Sequence, residues 1–121
     1  TLYVFVHGFP SPKERNFLRH IADIAEEGTE FYHWSDMDLG GIRIYRFLKQ
    51  NLFPALQPMN MNAENYLNAI KDGHGIDYDN DKKIKYEELY ASGECPEELK
   101  ALLELILTHG KDIEQEGVSP I

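Results

Sequence analysis

A single cysteine, Cys95, in 121 residues excludes an internal disulfide and makes a reducing, cytoplasmic setting the default. Positive charge is scarce too: 12 Lys and Arg stand against 21 Asp and Glu, a formal net charge of -9. That balance excludes a protein that grips nucleic acid chiefly through a basic face and counterion release. It leaves room for enzymes acting on phosphates, which often place carboxylates on Mg²⁺ and let the metal supply the positive charge. No apolar run approaches the ~20 residues of a membrane-spanning helix, so no membrane partner is expected. Signal-peptide and lipidation motifs are missing. So are Walker and dinucleotide-binding glycine patterns, and the five histidines lack the His-x-x-x-His spacing of a zinc helix. There is no initiator methionine: Thr1 leads straight into a strand-like segment, as expected of a domain excised from a longer protein.

What remains is 42% apolar, enough for one modest core in a single domain spanning 1–121. Residues 2–6 form a short apolar, β-branched and aromatic run, which predicts a buried strand. Ser11, Pro12 and Glu14 predict a capping box opening a helix whose apolar face carries Phe17, Leu18, Ile21, Ile24 and Ala25. Residues 30–34 predict a second strand. Gly40 and Gly41 predict the start of a second helix, with Ile42, Tyr45, Leu48 and Leu52 on one face and Pro54 at its end. Strand, helix, strand, helix implies an α/β fold with a short parallel sheet, to which residues 55–58 add a third strand. The second half reads as helical. Asn62 caps a helix bearing Tyr66, Leu67 and Ile70; residues 73–83 form a polar loop; residues 85–91 make one or two helical turns. Residues 96–109 form the strongest helix, with Leu99, Leu102, Leu103, Ile106 and Leu107 on one face and Gly110 behind.

The sharpest chemical feature is Asp36-Met37-Asp38-Leu39-Gly40-Gly41. Side chains alternate along an extended segment, so Asp36 and Asp38 converge while Met37 faces the other way. They lie where a strand ends and a helix begins, the place where open α/β sheets bind ligands. Two carboxylates that close need a cation or a shared proton, and hard oxygen ligands with room for water suit Mg²⁺. The plainer reading makes Asp38 the cap of the following helix. Glu114 and Glu116 could share one side of a terminal strand and reach the same pocket; on sequence alone they read as a solvated acidic end. His33 lies near enough in sequence to orient a carboxylate, although core packing is the default for each histidine. Cys95, at a predicted helix start, is placed where its pKa would fall.

The stretch 77–88 imitates a calcium loop, with Asp77, Asp79 and Asp81 at positions one, three and five and Glu88 at twelve. Lys82 stands where the sharp turn wants glycine, and Lys83 and Lys85 add positive charge, so a solvated loop is expected.

Residues 36–45 resemble the Asp-x-Asp motif of Toprim domains, the Mg²⁺-binding folds of topoisomerases, primases and related nucleases, and in particular the topoisomerase VI A-subunit type. Residues 6–12, with Phe17 and Leu18, resemble a Gly-Phe-x-(Ser/Asn)-Pro segment; residues 58–61 and 113–116 add two further matches. In this order the four are similar to the C-terminal Toprim-like domain of the JetD family, the nuclease subunit of bacterial Wadjet plasmid-defence systems. The resemblance covers nearly the whole chain. It implies a metal-dependent DNA endonuclease domain using Mg²⁺ or Mn²⁺, acting on double-stranded plasmid DNA beside an SMC-like motor complex, with room for a homodimer in the full-length protein. Asp36 and Asp38 match the family's metal-binding aspartates; Glu116, and less closely Glu114, match its C-terminal glutamate motif. Water, rather than one of the seven tyrosines, is the nucleophile that the resemblance implies. One departure stands out. Toprim sites also use a glutamate at the end of their first strand, where this sequence has His7-Gly8. The resemblance puts that glutamate upstream of Thr1, so an incomplete site is expected here.

Two other readings stay open on the residues alone. One is an α/β phosphohydrolase or phosphoacceptor domain with Asp36 as nucleophile, although Gly40 stands where that chemistry wants threonine or valine. The other is a calcium or protein-binding module built on residues 77–88.

Overall fold

Among the described residues, two small sheets and five α-helices, three of them in the second half, make up the α/β fold that the alternation of strand and helix implies. The computed structural model describes residues 2–4, 10–25 and 27–115. In chain order these form β1 (Leu2–Val4), α1 (Pro12–Ile24), β2 (Phe31–His33), α2 (Leu39–Asn51), β3 (Gln57–Pro58), α3 (Ala63–Lys71), β4 (Gly75–Asp77) and α4 (Asn80–Ser92). A 3-10 turn (Glu97–Leu99), α5 (Lys100–His109) and β5 (Lys111–Ile113) follow. Strands β1, β2 and β3 are parallel in that order, with Tyr3 beside Tyr32 and His33 beside Pro58. Strands β4 and β5 form a separate antiparallel pair with Gly75 opposite Ile113. Among the described residues no helix is long and apolar enough to cross a membrane.

The helix starts follow local chemistry. Ser11 Oγ accepts the Glu14 N–H at 3.1 Å while Glu14 accepts the Ser11 N–H at 3.2 Å, which completes the capping box. Asn62 caps α3 through the Asn65 N–H at 2.8 Å. Expected helix 96–109 is present as the 3-10 turn followed by α5, closed by Gly110 at φ 67.

The second half departs from expectation, and α1 is less covered than its apolar face suggests. The polar stretch 73–83 is not a loop: β4 occupies its start, and α4 begins at Asn80 under the Asp79 cap, whose carboxylate accepts the Lys82 N–H at 2.9 Å. Helix α4 thus runs 13 residues where one or two turns were expected. Tyr86 is its only buried residue, so no apolar stripe announces it. Because Asp81, Lys82 and Glu88 are helical and Asp79 is a cap, residues 77–88 cannot wrap a cation as a calcium loop does. The apolar face of α1 is covered only in part, with Leu18 and Ala22 packed against the core. No α1 residue is buried, and Phe17 and Ile24 are each 64% exposed.

The core instead gathers α2, α5 and the segments between: Met37, Ile42, Tyr45, Leu48, Phe53, Leu56, Leu102, Leu103, Ile106 and Ile113 are all buried. Three fully buried tyrosines each satisfy their hydroxyl, Tyr45 on Leu56 O (2.8 Å) and Glu98 (2.6 Å), Tyr66 on Lys111 O (2.7 Å), and Tyr86 on Asp112 (2.5 Å). Burial, first of all, pushes each of these phenols well above the ordinary tyrosine value.

Glu98 also pairs with Lys49, joining the 3-10 turn to α2. Burial works to raise its carboxyl, but the hydrogen bonds from Lys49 and Tyr45 outweigh that and hold it below the ordinary glutamate value. A carboxyl lowered in the folded state contributes stability above its unfolded pKa and loses it as pH falls through the folded value. Glu98→Gln is therefore expected to destabilise the fold at pH 7 by no more than about 1 kcal/mol for so exposed a pair, and to lower the Tm accordingly. The gap should close as pH drops below 4.5. Thermal melts of both proteins at pH 7 and pH 3 check it.

Candidate metal centre

The Asp-x-Asp segment is held from two sides. Strand β2 leads into it, and Met37 forms an isolated antiparallel bridge with Ile113, its N–H donating to Ile113 O at 2.7 Å and its carbonyl accepting the Ile113 N–H at 3.1 Å. Ile113 thereby pairs with Gly75 in β4 and with Met37, so the last strand locks the motif to the second sheet. Met37 and Ile113 are both completely buried. Alternation then sets Asp36 and Asp38, both half-buried, on the opposite side from Met37. Antiparallel pairing brings Asp112 beside Asp38 and Glu114 beside Asp36.

Each aspartate accepts one backbone N–H. Asp36 Oδ1 takes the Gln115 N–H at 2.6 Å, and Asp38 Oδ1 takes the Gly41 N–H at 2.7 Å. Asp38 is thus the N-cap of α2, which begins at Leu39 rather than at the glycine pair. Capping occupies one oxygen and leaves the second oxygen of each carboxylate outside these bonds. Burial pushes the Asp38 carboxyl above its ordinary value; the Gly41 N–H opposes this, the Asp36 charge adds to it, Lys82 pulls it back, and Asp112 pushes it up again. A carboxylate uncomfortable as a lone anion, beside a second one, suits a divalent cation.

The buried acid next door is Asp112. Its Oδ1 accepts the Tyr86 hydroxyl at 2.5 Å, and its Oδ2 pairs with Lys82 Nζ. Helix α4, which carries Lys82 and Tyr86, also packs against α2. Sequence reasoning missed Asp112, Lys82, Tyr86 and Gln115. One signal was present: Asp112 and Glu114 flank apolar Ile113 as Asp36 and Asp38 flank Met37.

The donor set fits Mg²⁺ or Mn²⁺ in part. Asp36 and Asp38 offer two hard oxygens, the number that Mg²⁺ often takes from protein while keeping several waters. Among the described residues no group of three or more His, Cys, Asp or Glu is arranged to hold a metal ion, and Asp112 is engaged by Tyr86 and Lys82. Glu114 is exposed just past β5, and Glu116 lies outside the described residues, as do His7 and Gly8. His33 is fully buried, its ring 6.1 Å from that of Tyr45. Cys95 is corrected too. Burial, then Glu98 and Glu97, push its thiol up to about 11, the reverse of the lowering expected at a helix start.

Over residues 1–120 the sequence matches the protein family described as Wadjet protein JetD, C-terminal. It is also similar to the Wadjet protein JetD of Bacillus cereus (strain Q1), with 30% identity over 73 residues. That alignment covers 60% of this chain and 18% of the length of this curated relative.

Proposed function

Because the chain belongs to the Wadjet protein JetD C-terminal family, we propose that it is the metal-dependent DNA endonuclease domain of a bacterial anti-plasmid defence system, acting in the cytoplasm. The observation that carries this reading is the paired carboxylates of Asp36 and Asp38, half-buried at a strand-to-helix junction and each with one oxygen outside the hydrogen bonds that fix it. In this reading the two aspartates hold Mg²⁺ or Mn²⁺, with Glu116 in the same role. The bound ion supplies the charge that polarises a scissile phosphate and stabilises the leaving 3′-oxygen.

The rest falls to the chain itself. Gly41 and Gln115 orient the two carboxylates, while the Met37–Ile113 bridge fixes the spacing between the motif and the last strand. Water is the attacking nucleophile in this reading, as the family resemblance implies; Tyr45, Tyr66 and Tyr86 are buried and hydrogen-bonded in the core. Double-stranded plasmid DNA is the substrate, and an SMC-like motor complex presents it. A chain of net charge -9 suits that division: its site relies on metal, and the partner grips the DNA.

An NMR titration with Mn²⁺ tests the reading. Paramagnetic broadening is expected to centre on residues 36–41 and to cross the bridge to residues 113–115. Broadening centred on residues 77–81, or none at all, would overturn it.

A further inference from the structure

Lys82 is the residue that spoils the calcium-loop pattern, and the fold gives it a different position. It sits in the first turn of α4, and its Nζ pairs with the Asp112 carboxylate, which Tyr86 holds from the other side. Tyr86 is fully buried and the Asp112 side chain is 10% exposed, whereas the Lys82 side chain is 33% exposed. The ammonium therefore lies at the rim of a buried cluster. Asp112 stands beside Asp38 across the Met37–Ile113 bridge, so the ammonium is held by the carboxylate next to the motif. An ammonium carries three N–H donors; the bond to Asp112 uses one.

A buried Asp112 beside Asp38 does need a counter-charge, so neutralising Asp112 is the simplest role for Lys82. The placement goes further. A tethered cation on the carboxylate that neighbours Asp38, on a chain short of positive charge, is placed to meet a phosphodiester brought to the motif. Resting on the reading of Asp36 and Asp38 as metal ligands, we propose that Lys82 is a substrate-contacting residue, whose ammonium, held by Asp112 and Tyr86, binds a non-bridging oxygen of the phosphodiester.

Three variants of the full-length protein test this: Lys82→Met, Lys82→Arg, and the double variant Lys82→Met with Asp112→Asn. The double variant removes both charges and leaves Tyr86 an acceptor, so it keeps the fold even if Lys82→Met alone strands a buried carboxylate. Duplex cleavage in Mg²⁺ is expected to fall about 10- to 100-fold in Lys82→Met and in the double variant, the size of one lost charge-assisted contact. Lys82→Arg should keep most of it. In EDTA, the slope of log affinity for a short DNA duplex against log salt should drop by about one in the same two variants. Mn²⁺ affinity, read by electron paramagnetic resonance, should hold or rise. Wild-type cleavage and salt slope in the double variant would overturn the proposal, leaving Lys82 as the counter-charge of Asp112. A loss of Mn²⁺ affinity in the double variant would also overturn it, since Lys82 would then act through the shape of the metal site. Failure of the underlying reading shows separately, as Mn²⁺ binding or cleavage that survives loss of both Asp36 and Asp38.

Discussion

Asp36→Asn with Asp38→Asn is expected to abolish Mn²⁺ binding and duplex cleavage while leaving the fold intact. Asparagine keeps the shape and the Oδ1 acceptor, so the Gly41 and Gln115 N–H groups stay satisfied, and Asn caps a helix as well as Asp does. What disappears is the negative charge. Losing several kcal/mol of metal-borne stabilisation corresponds to roughly a thousandfold or more in rate. Stability should move the other way. A carboxyl raised in the folded state contributes stability below its unfolded pKa and loses it as pH rises through the folded value. The parent protein carries that penalty for Asp38 at neutral pH and the variant does not. The variant should therefore melt at or above the parent at pH 7, and its advantage should vanish below pH 3.8, the ordinary aspartate value. Calorimetric titration with Mn²⁺ and melts across that range check both halves. Unchanged metal affinity would remove Asp36 and Asp38 from the site. Asp38→Ala is a poorer probe, because it loses the cap as well, at about 1 kcal/mol.

Gly41→Ala and Gly40→Ala should have opposite effects although the residues are adjacent. A Cβ on Gly41 would lie 1.9 Å from the Asp36 carbonyl oxygen and 2.8 Å from Ser35 Oγ. Backbone would have to give way, and the backbone in question is the segment that presents Asp36. A loss of about 1–3 kcal/mol or more is expected, the range for forcing atoms into a packed interior, together with weaker Mn²⁺ binding as Asp36 is pushed out of place. Gly40 is exposed, and a Cβ there would meet only Asp38 Oδ1, at 3.5 Å, an ordinary contact. There alanine should stabilise by up to about 1 kcal/mol through helix propensity. Thermal melts read the two signs directly. Equal shifts would mean that the close approach of α2 to Asp36 does not constrain this turn.

These two glycines mark a boundary between what is local and what is not. The sequence by itself determined the helix starts: Ser11 with Glu14, Asp38 and Asn62 each satisfy an N–H three residues away or fewer, so the signal and its partner lie side by side in the chain. It also determined the order of parallel strands and helices in the first half, and the paired carboxylates of Asp36 and Asp38, because alternation along an extended segment needs no distant partner. The full length of helix α4 is not legible along the chain because one buried residue, Tyr86, leaves no periodic stripe. Tertiary structure alone decided the rest of the site. The Gln115 N–H that orients Asp36 lies 79 residues away from it, the Tyr86 hydroxyl lies 26 from Asp112, and Lys82 lies 30 from the same carboxylate. It likewise decided that α1 would be covered only at Leu18 and Ala22 while Phe17 and Ile24 stay exposed, and that the Cys95 thiol would be raised rather than lowered. Burial and distant charge depend on which surfaces meet, and the Met37–Ile113 bridge, which brings the ends of this chain's site together, is made by hydrogen bonds between backbone groups that every residue carries.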